Sequence, residues 1–235
     1  MKKMVLMVGG LMLVAAGAAM AGSDMGWNDC VAGGGTPDRT VNCTNTGTGI
    51  AYVSLNPTQS YPSVGATDVL IDVAPAQTIG AWWNPTPTTT RWGSAATDPA
   101  SGACTGWWSA APNGGITFQP PAAVPNTAAN KIRLRITTVI AAGEEQPMDP
   151  GVDYFMGSLL LKFNAGTAGN AECLGGAAIG VADIVVLQPG QTDAHQGQVA
   201  ATSNCVTFRN PATKQCPGAT PTEKSTWGSI KALYR

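Results

Sequence analysis

Residues 131–137 alternate without a break: Ile132, Leu134 and Ile136 fall on one side, and Lys131, Arg133, Arg135 and Thr137 on the other. Only an extended chain puts every second side chain on one face, so this segment predicts a strand with one dry and one wet face. Similar runs recur at 50–55, 69–74, 79–83, 115–119, 154–164, 183–188, 198–203 and 205–209. In 69–74, Val69, Ile71 and Val73 oppose Asp72. In 154–164, Phe155, Leu159, Leu161 and Phe163 are expected inward, with Ser158 and Lys162 outward. The separators hold turn residues, as in Asn84-Pro85-Thr86-Pro87 and Gln119-Pro120-Pro121, so proline stays out of the ladders. With 29 glycines and 17 prolines in 235 residues, turns outnumber long helices. The expectation is an all-β fold: a single antiparallel two-sheet β-sandwich, Ig-like or jelly-roll-like.

The amino terminus reads as an address. Met1-Lys2-Lys3 precedes an apolar run over 4–18, and Ala19-Met20-Ala21 supplies a small-x-small site. A short positive end, an apolar centre and such a site make a secretory signal. The run is shorter than the about 20 residues a membrane helix needs. Cys30 is too far from the site to be lipidated. Cleavage after Ala21 and a chain with no transmembrane span are expected. The organisation is then a signal peptide (1–21), a sandwich domain with a Cys-rich beginning (22–216), and a linker with a short C-terminal helical tail (217–235).

All six cysteines, Cys30, Cys43, Cys104, Cys173, Cys205 and Cys216, follow that site. An even count in an exported chain reads as disulfide staples. Without a C-x-x-C and with one histidine, structural zinc is not expected. Local closure suggests Cys30–Cys43 and Cys205–Cys216, which leaves Cys104–Cys173. Gly33-Gly34-Gly35 lacks the preceding strand and following Lys of a phosphate cradle and reads as a stapled loop.

Loss of Lys2 and Lys3 would leave 11 basic against 14 acidic residues, too weak a field to attract nucleic acid. The lone His195 sits in a polar turn-like stretch, with no Gly-x-Ser-x-Gly elbow anywhere, so no catalytic constellation is evident and a non-enzyme is expected. Glu144, Glu145, Asp149 and Asp153 cluster within ten residues. Asp-Pro-Gly is turn chemistry, but Asp149 and Asp153 are also candidate calcium ligands. Trp82-Trp83 and Trp107-Trp108 are adjacent pairs with Trp92 between them. On a strand one member of each pair would face outward, where a ring can stack on sugar.

The tail differs from the rest. After 217–222, Ser225 or Thr226 can cap a short helix with Trp227, Ile230 and Tyr234 on one docking face. Its sequence, TPTEKSTWGSIKALYR, resembles the ending of a group of uncharacterised exported bacterial β-sandwich proteins. Asp149-Pro-Gly-Val-Asp-Tyr-Phe and Trp27-Asn-Asp-Cys30 carry weaker parts of that resemblance. It implies export, the fold class and a shared role for the tail, and supplies no catalytic residues. The combined expectation is a secreted or cell-surface protein, with the periplasm as an alternative. It would act through protein contacts with a partner or with its own copies. A carbohydrate-binding module is the runner-up, and an exported hydrolase a weak third.

Overall fold

The structure, a computed structural model, describes residues 22–40, 43, 47–76, 79, 83, 92–95, 104–108, 112–119, 131–162, 171–191, 194–195, 204–208 and 216. The expected signal peptide, the expected strand at 198–203, Trp82 and the tail with Trp227, Ile230 and Tyr234 lie outside these residues.

The fold is all-β and built from two sheets. A four-stranded sheet has the order β1 (Gly22–Trp27), β3 (Thr48–Asn56), β10 (Tyr154–Lys162), β6 (Trp92–Ala95). A larger sheet runs β2 (Asp38–Arg39), β13 (Cys205–Phe208), β11 (Ala177–Leu187), β5 (Ala66–Pro75), β8 (Ile132–Val139), β7 (Asn113–Gln119), with β12 (Ala194–His195) also paired to β11. A small ribbon joins β4 (Tyr61–Val64) to β9 (Gln146–Met148). All pairings are antiparallel except β13 with β2, which run parallel. Sequence neighbours mostly lie in different sheets, so the order of strands in space had to be set by packing rather than by tight hairpins.

The two sheets share one core. Met25, Trp27, Val53, Leu55, Met156, Leu159 and Leu161 of the first meet Val69, Ile71, Val73, Ile132, Leu134, Ile136, Ile179 and Phe208 of the second. Each fully buried aliphatic or aromatic side chain contributes about 1.5–3 kcal/mol. The alternation in β8 is realised residue by residue, with Ile132, Leu134 and Ile136 buried. Asp72 and Arg133, opposite each other in register, pair on the outer face.

Several expectations are corrected. In β10 the register shifts between Phe155 and Gly157, a bulge that reverses the parity of the strand's start. Met156 therefore enters the core and Phe155 turns to the outer face, and Ser158, expected outward and wet, is buried. Gly157 is at φ +153, and a Cβ there would lie 3.2 Å from Ile136, so a larger residue would crowd the opposite sheet. Ile79 and Trp83 are not in a strand; Trp83 sits in a turn and packs edge-on against Phe208. The disulfides are Cys30–Cys104, Cys43–Cys173 and Cys205–Cys216. Only the last matches the local-closure pairing. Cys30 and Cys43 are carried apart because β1 and the turn after it bring Cys30 over the outer face of the four-stranded sheet. Cys43 instead meets α1 (Ala171–Gly175) at the other sheet's end.

The glycine triplet forms a tight turn. Val31–Gly33 is one turn of 3-10 helix, Gly34 takes φ +92, and the Gly35 amide donates to Cys30 O. A Cβ at Gly35 would lie 2.1 Å from Asp29 O, so this close backbone approach requires glycine.

Candidate functional site

The two outer faces are built differently, and the unusual chemistry lies on the four-stranded sheet. Its outward positions are Asp24 on β1, Ile50, Tyr52, Ser54 and Asn56 on β3, and Phe155 and Ser158 on β10. A second apolar cluster, Cys30, Tyr52, Cys104 and Phe155, closes over them, with Ile50 and Trp108 packed against it. Phe155 stands 6.0 Å from Tyr52 and 5.9 Å from Trp108, the latter edge-on. The Cys30–Cys104 disulfide holds this cover down, and Thr105 docks it to the sheet edge-to-backbone. The Thr105 amide donates to Asp153 O, and the Phe155 amide to Thr105 O, each at 2.9 Å.

Asp153 sits at the rim of this cover. Burial pushes its carboxyl up to about 6, nearby Asp24 adds to the rise, and the Ser54 hydroxyl offsets part of it. That hydroxyl faces the carboxyl without reaching good hydrogen-bond geometry. Neither Ser54 Oγ nor Asp153 Oδ1 has a partner meeting distance and angle among the described residues. Asp153 Oδ2 lies 3.9 Å from Cys104 Sγ. The arrangement can hold a proton near neutral pH, or accept a cation.

The acidic cluster is dispersed into turns. Asp149 is exposed; its amide donates to the Tyr154 hydroxyl, and the Gly151 amide donates to Asn56 Oδ1 at 2.9 Å. Glu145 accepts from the Gly143 amide within its own turn. Among the described residues no three acidic, histidine or cysteine side chains gather as metal ligands.

The tryptophans mostly serve the interior. Trp83 is fully buried and Trp107 is 2% exposed, so the member of each pair that fills the core is Trp83 in the first and Trp107 in the second, and neither offers a face to a sugar. Trp108 is half-buried and stands edge-on to Trp107. His195 lies on the two-residue strand β12 opposite Val185. Sequence reading passed over Asp24 and Ser54. The available signal is the alternation of Ser23, Met25 and Trp27 with Gly22, Asp24 and Gly26.

The larger sheet's outer face is a charge ladder. Arg133 meets Asp72 through two hydrogen bonds, at 2.7 and 3.0 Å, with Lys131 3.7 Å from the same carboxylate. Arg135 and Thr137 both donate to Asp68. Hydrogen bonding to these carboxylates raises both arginines above their ordinary value.

No protein-family model matches the chain, and neither the curated proteins nor the solved structures give a match.

Proposed function

We propose that this is a non-catalytic exported protein, secreted or held at the cell surface, that acts through protein contacts and uses its C-terminal segment as a sorting or docking element. The observation that carries this reading is the placement of the Cys205–Cys216 disulfide. It fixes the residue just before the 217–235 segment to β13, an interior strand of the larger sheet. Whatever the tail engages is thereby tied covalently to the fold's most extensively paired sheet rather than to a terminal loop. Three disulfides also suit an oxidising compartment. Among the described residues no helix is long and apolar enough to cross a membrane.

The test is fractionation of a diderm host expressing the full chain with and without residues 223–235. Surface retention of the intact protein, with release of the truncated one, supports the reading. Identical distribution of both overturns the tail's role.

A glycan-binding reading retains one specific support, the half-buried Trp108 beside Tyr52 on the outer face. Retardation on polysaccharide affinity gels that is lost in Trp108→Ala would favour it. Calcium binding at Asp153 would show as a thermal shift at millimolar calcium.

A further inference from the structure

One row on the inner face of the larger sheet carries hydroxyls. Val69, Ile71 and Val73 on β5 and Ile132, Leu134 and Ile136 on β8 point into the shared core. The pairing of these two strands runs without a shift, so Thr67 and Thr138 continue the two alternations and also point inward. They stand opposite each other in register and are 0% and 1% exposed. The row extends to Val186 on β11, which pairs with Thr67, and to Gly114 on β7, which pairs with Thr138. One row deeper, the corresponding residues Ile184, Val69, Ile136 and Ile116 are all aliphatic.

Neither hydroxyl has a hydrogen-bond partner among the described residues. Directly opposed strand residues hold their Cβ atoms about 4.5–5.5 Å apart, so both oxygens are within reach of one small molecule set between them. The backbone at this end of the sheet is paired with itself: the Ile140 amide donates to Gly65 O at 3.0 Å, and the Gly65 amide to Leu187 O at 2.9 Å. Valine has nearly the shape of threonine and would fill both positions without a polar atom to satisfy. A buried hydroxyl without a partner is a cost that valine avoids. The row is closed at one end by Val186, which is fully buried. At the other end Gly114 is exposed and has no side chain to set beside Thr138, so the row faces solvent at β7.

We infer that Thr67 and Thr138 form a binding site for one internal water, which bridges the two hydroxyls and exchanges with solvent past Gly114. Each threonine hydroxyl offers one donor and two acceptor lone pairs, so a water between them satisfies both oxygens with the protons pointing either way. Buried waters occupy such places, where polar groups inside a core lack protein partners. The four residues of the row carry no charge, so a neutral ligand of this size fits and an ion does not. The bridge ties β5 to β8 from inside the core, on the face opposite the Asp72–Arg133 and Asp68–Arg135 pairs.

The test is water-selective NMR on the oxidised protein, with the amide and γ-methyl protons of Thr67 and Thr138 as reporters. Cross-peaks with the sign of a held water, rather than a freely diffusing one, are expected at both residues. In Thr67→Val the cross-peaks at Thr138 should be lost, and in Thr138→Val those at Thr67, because the bridge needs both hydroxyls. Each single valine variant should lower Tm by about 2–4 °C. The second valine added to the first should cost less than it does alone, since its hydroxyl has already lost the bridge. Cross-peaks at Thr138 that persist in Thr67→Val would show its own hydroxyl exchanging without a bridge, and would overturn the site. No cross-peak at either threonine would also overturn it, leaving the hydroxyls unpaired or bonded to each other. So would valine substitutions that each raise Tm and add independently.

Discussion

The outer faces of the two sheets solve the same problem in opposite ways. On the larger sheet the outward row is polar and self-neutralising: Arg133 and Lys131 on Asp72, Arg135 and Thr137 on Asp68. It needs no cover. On the four-stranded sheet the outward row carries Tyr52 and Phe155, which are nearly fully buried beneath Trp108 and the Cys30–Cys104 disulfide. An apolar outer face must be covered, and a cover made of loop has little regular hydrogen bonding of its own. A covalent staple supplies the hold that a strand ladder supplies elsewhere.

That contrast sets the sizes of the effects expected from breaking it. Removing the staple with Cys30→Ser and Cys104→Ser should cost the most, about 4 kcal/mol for a loop of this length. Denaturant unfolding should report the loss, with Trp108 fluorescence shifting to the red before global unfolding. Phe155→Ala should come next, at about 3 kcal/mol, because it empties a position enclosed on all sides. A cost below about 1 kcal/mol, measured the same way, would mean that the cover is not packed. The larger sheet should tolerate more. A double-mutant cycle on Asp72→Ala and Arg133→Ala should give a coupling of about 1 kcal/mol that shrinks with added salt, since both groups touch solvent.

The smallest effect concerns Asp153. Its folded midpoint, about 6, lies above the ordinary 3.8 of an unfolded aspartate. Its contribution to stability is therefore full below about pH 3.8 and is lost as pH rises through 6. Asp153→Asn should remove that loss. At pH 7 the variant should be more stable by about 1 kcal/mol, discounted for partial exposure, with no gain at pH 4. Melts across that range check the sign.

The same contrast explains what was legible in the sequence. Strand β8 could be read outright because one of its faces is wet and charged, so polarity marks the period. Strand β10 is buried on both faces and carries a bulge, so its alternation pointed Phe155 the wrong way. Strand β1 was missed because Gly22, Ser23, Asp24 and Gly26 are poor strand formers. Its pairing with β3 and the burial of Met25 and Trp27 override that local preference. The disulfides misled for a related reason. Nearness in sequence favours Cys30 with Cys43, but the register of β1 on β3 lays Cys30 on a face that residues near 104 come back to cover. The Asp24–Ser54–Asp153 corner follows from that register and has no signature in spacing, since its members are far apart along the chain.

The staple over the four-stranded sheet is tested most directly by tryptic mapping of the unreduced protein by mass spectrometry. Cleavage at Arg39, Arg91, Lys131, Lys162, Arg209, Lys214 and Lys224 separates the cysteines, except that Cys173 and Cys205 share the peptide 163–209. The peptide ending at Arg39 is expected to be linked to 92–131, and 40–91, 163–209 and 215–224 to be joined as a set of three. Linkage of the Arg39 peptide to 40–91, with 92–131 joined to 163–209, would contradict it and return the pairing to local closure.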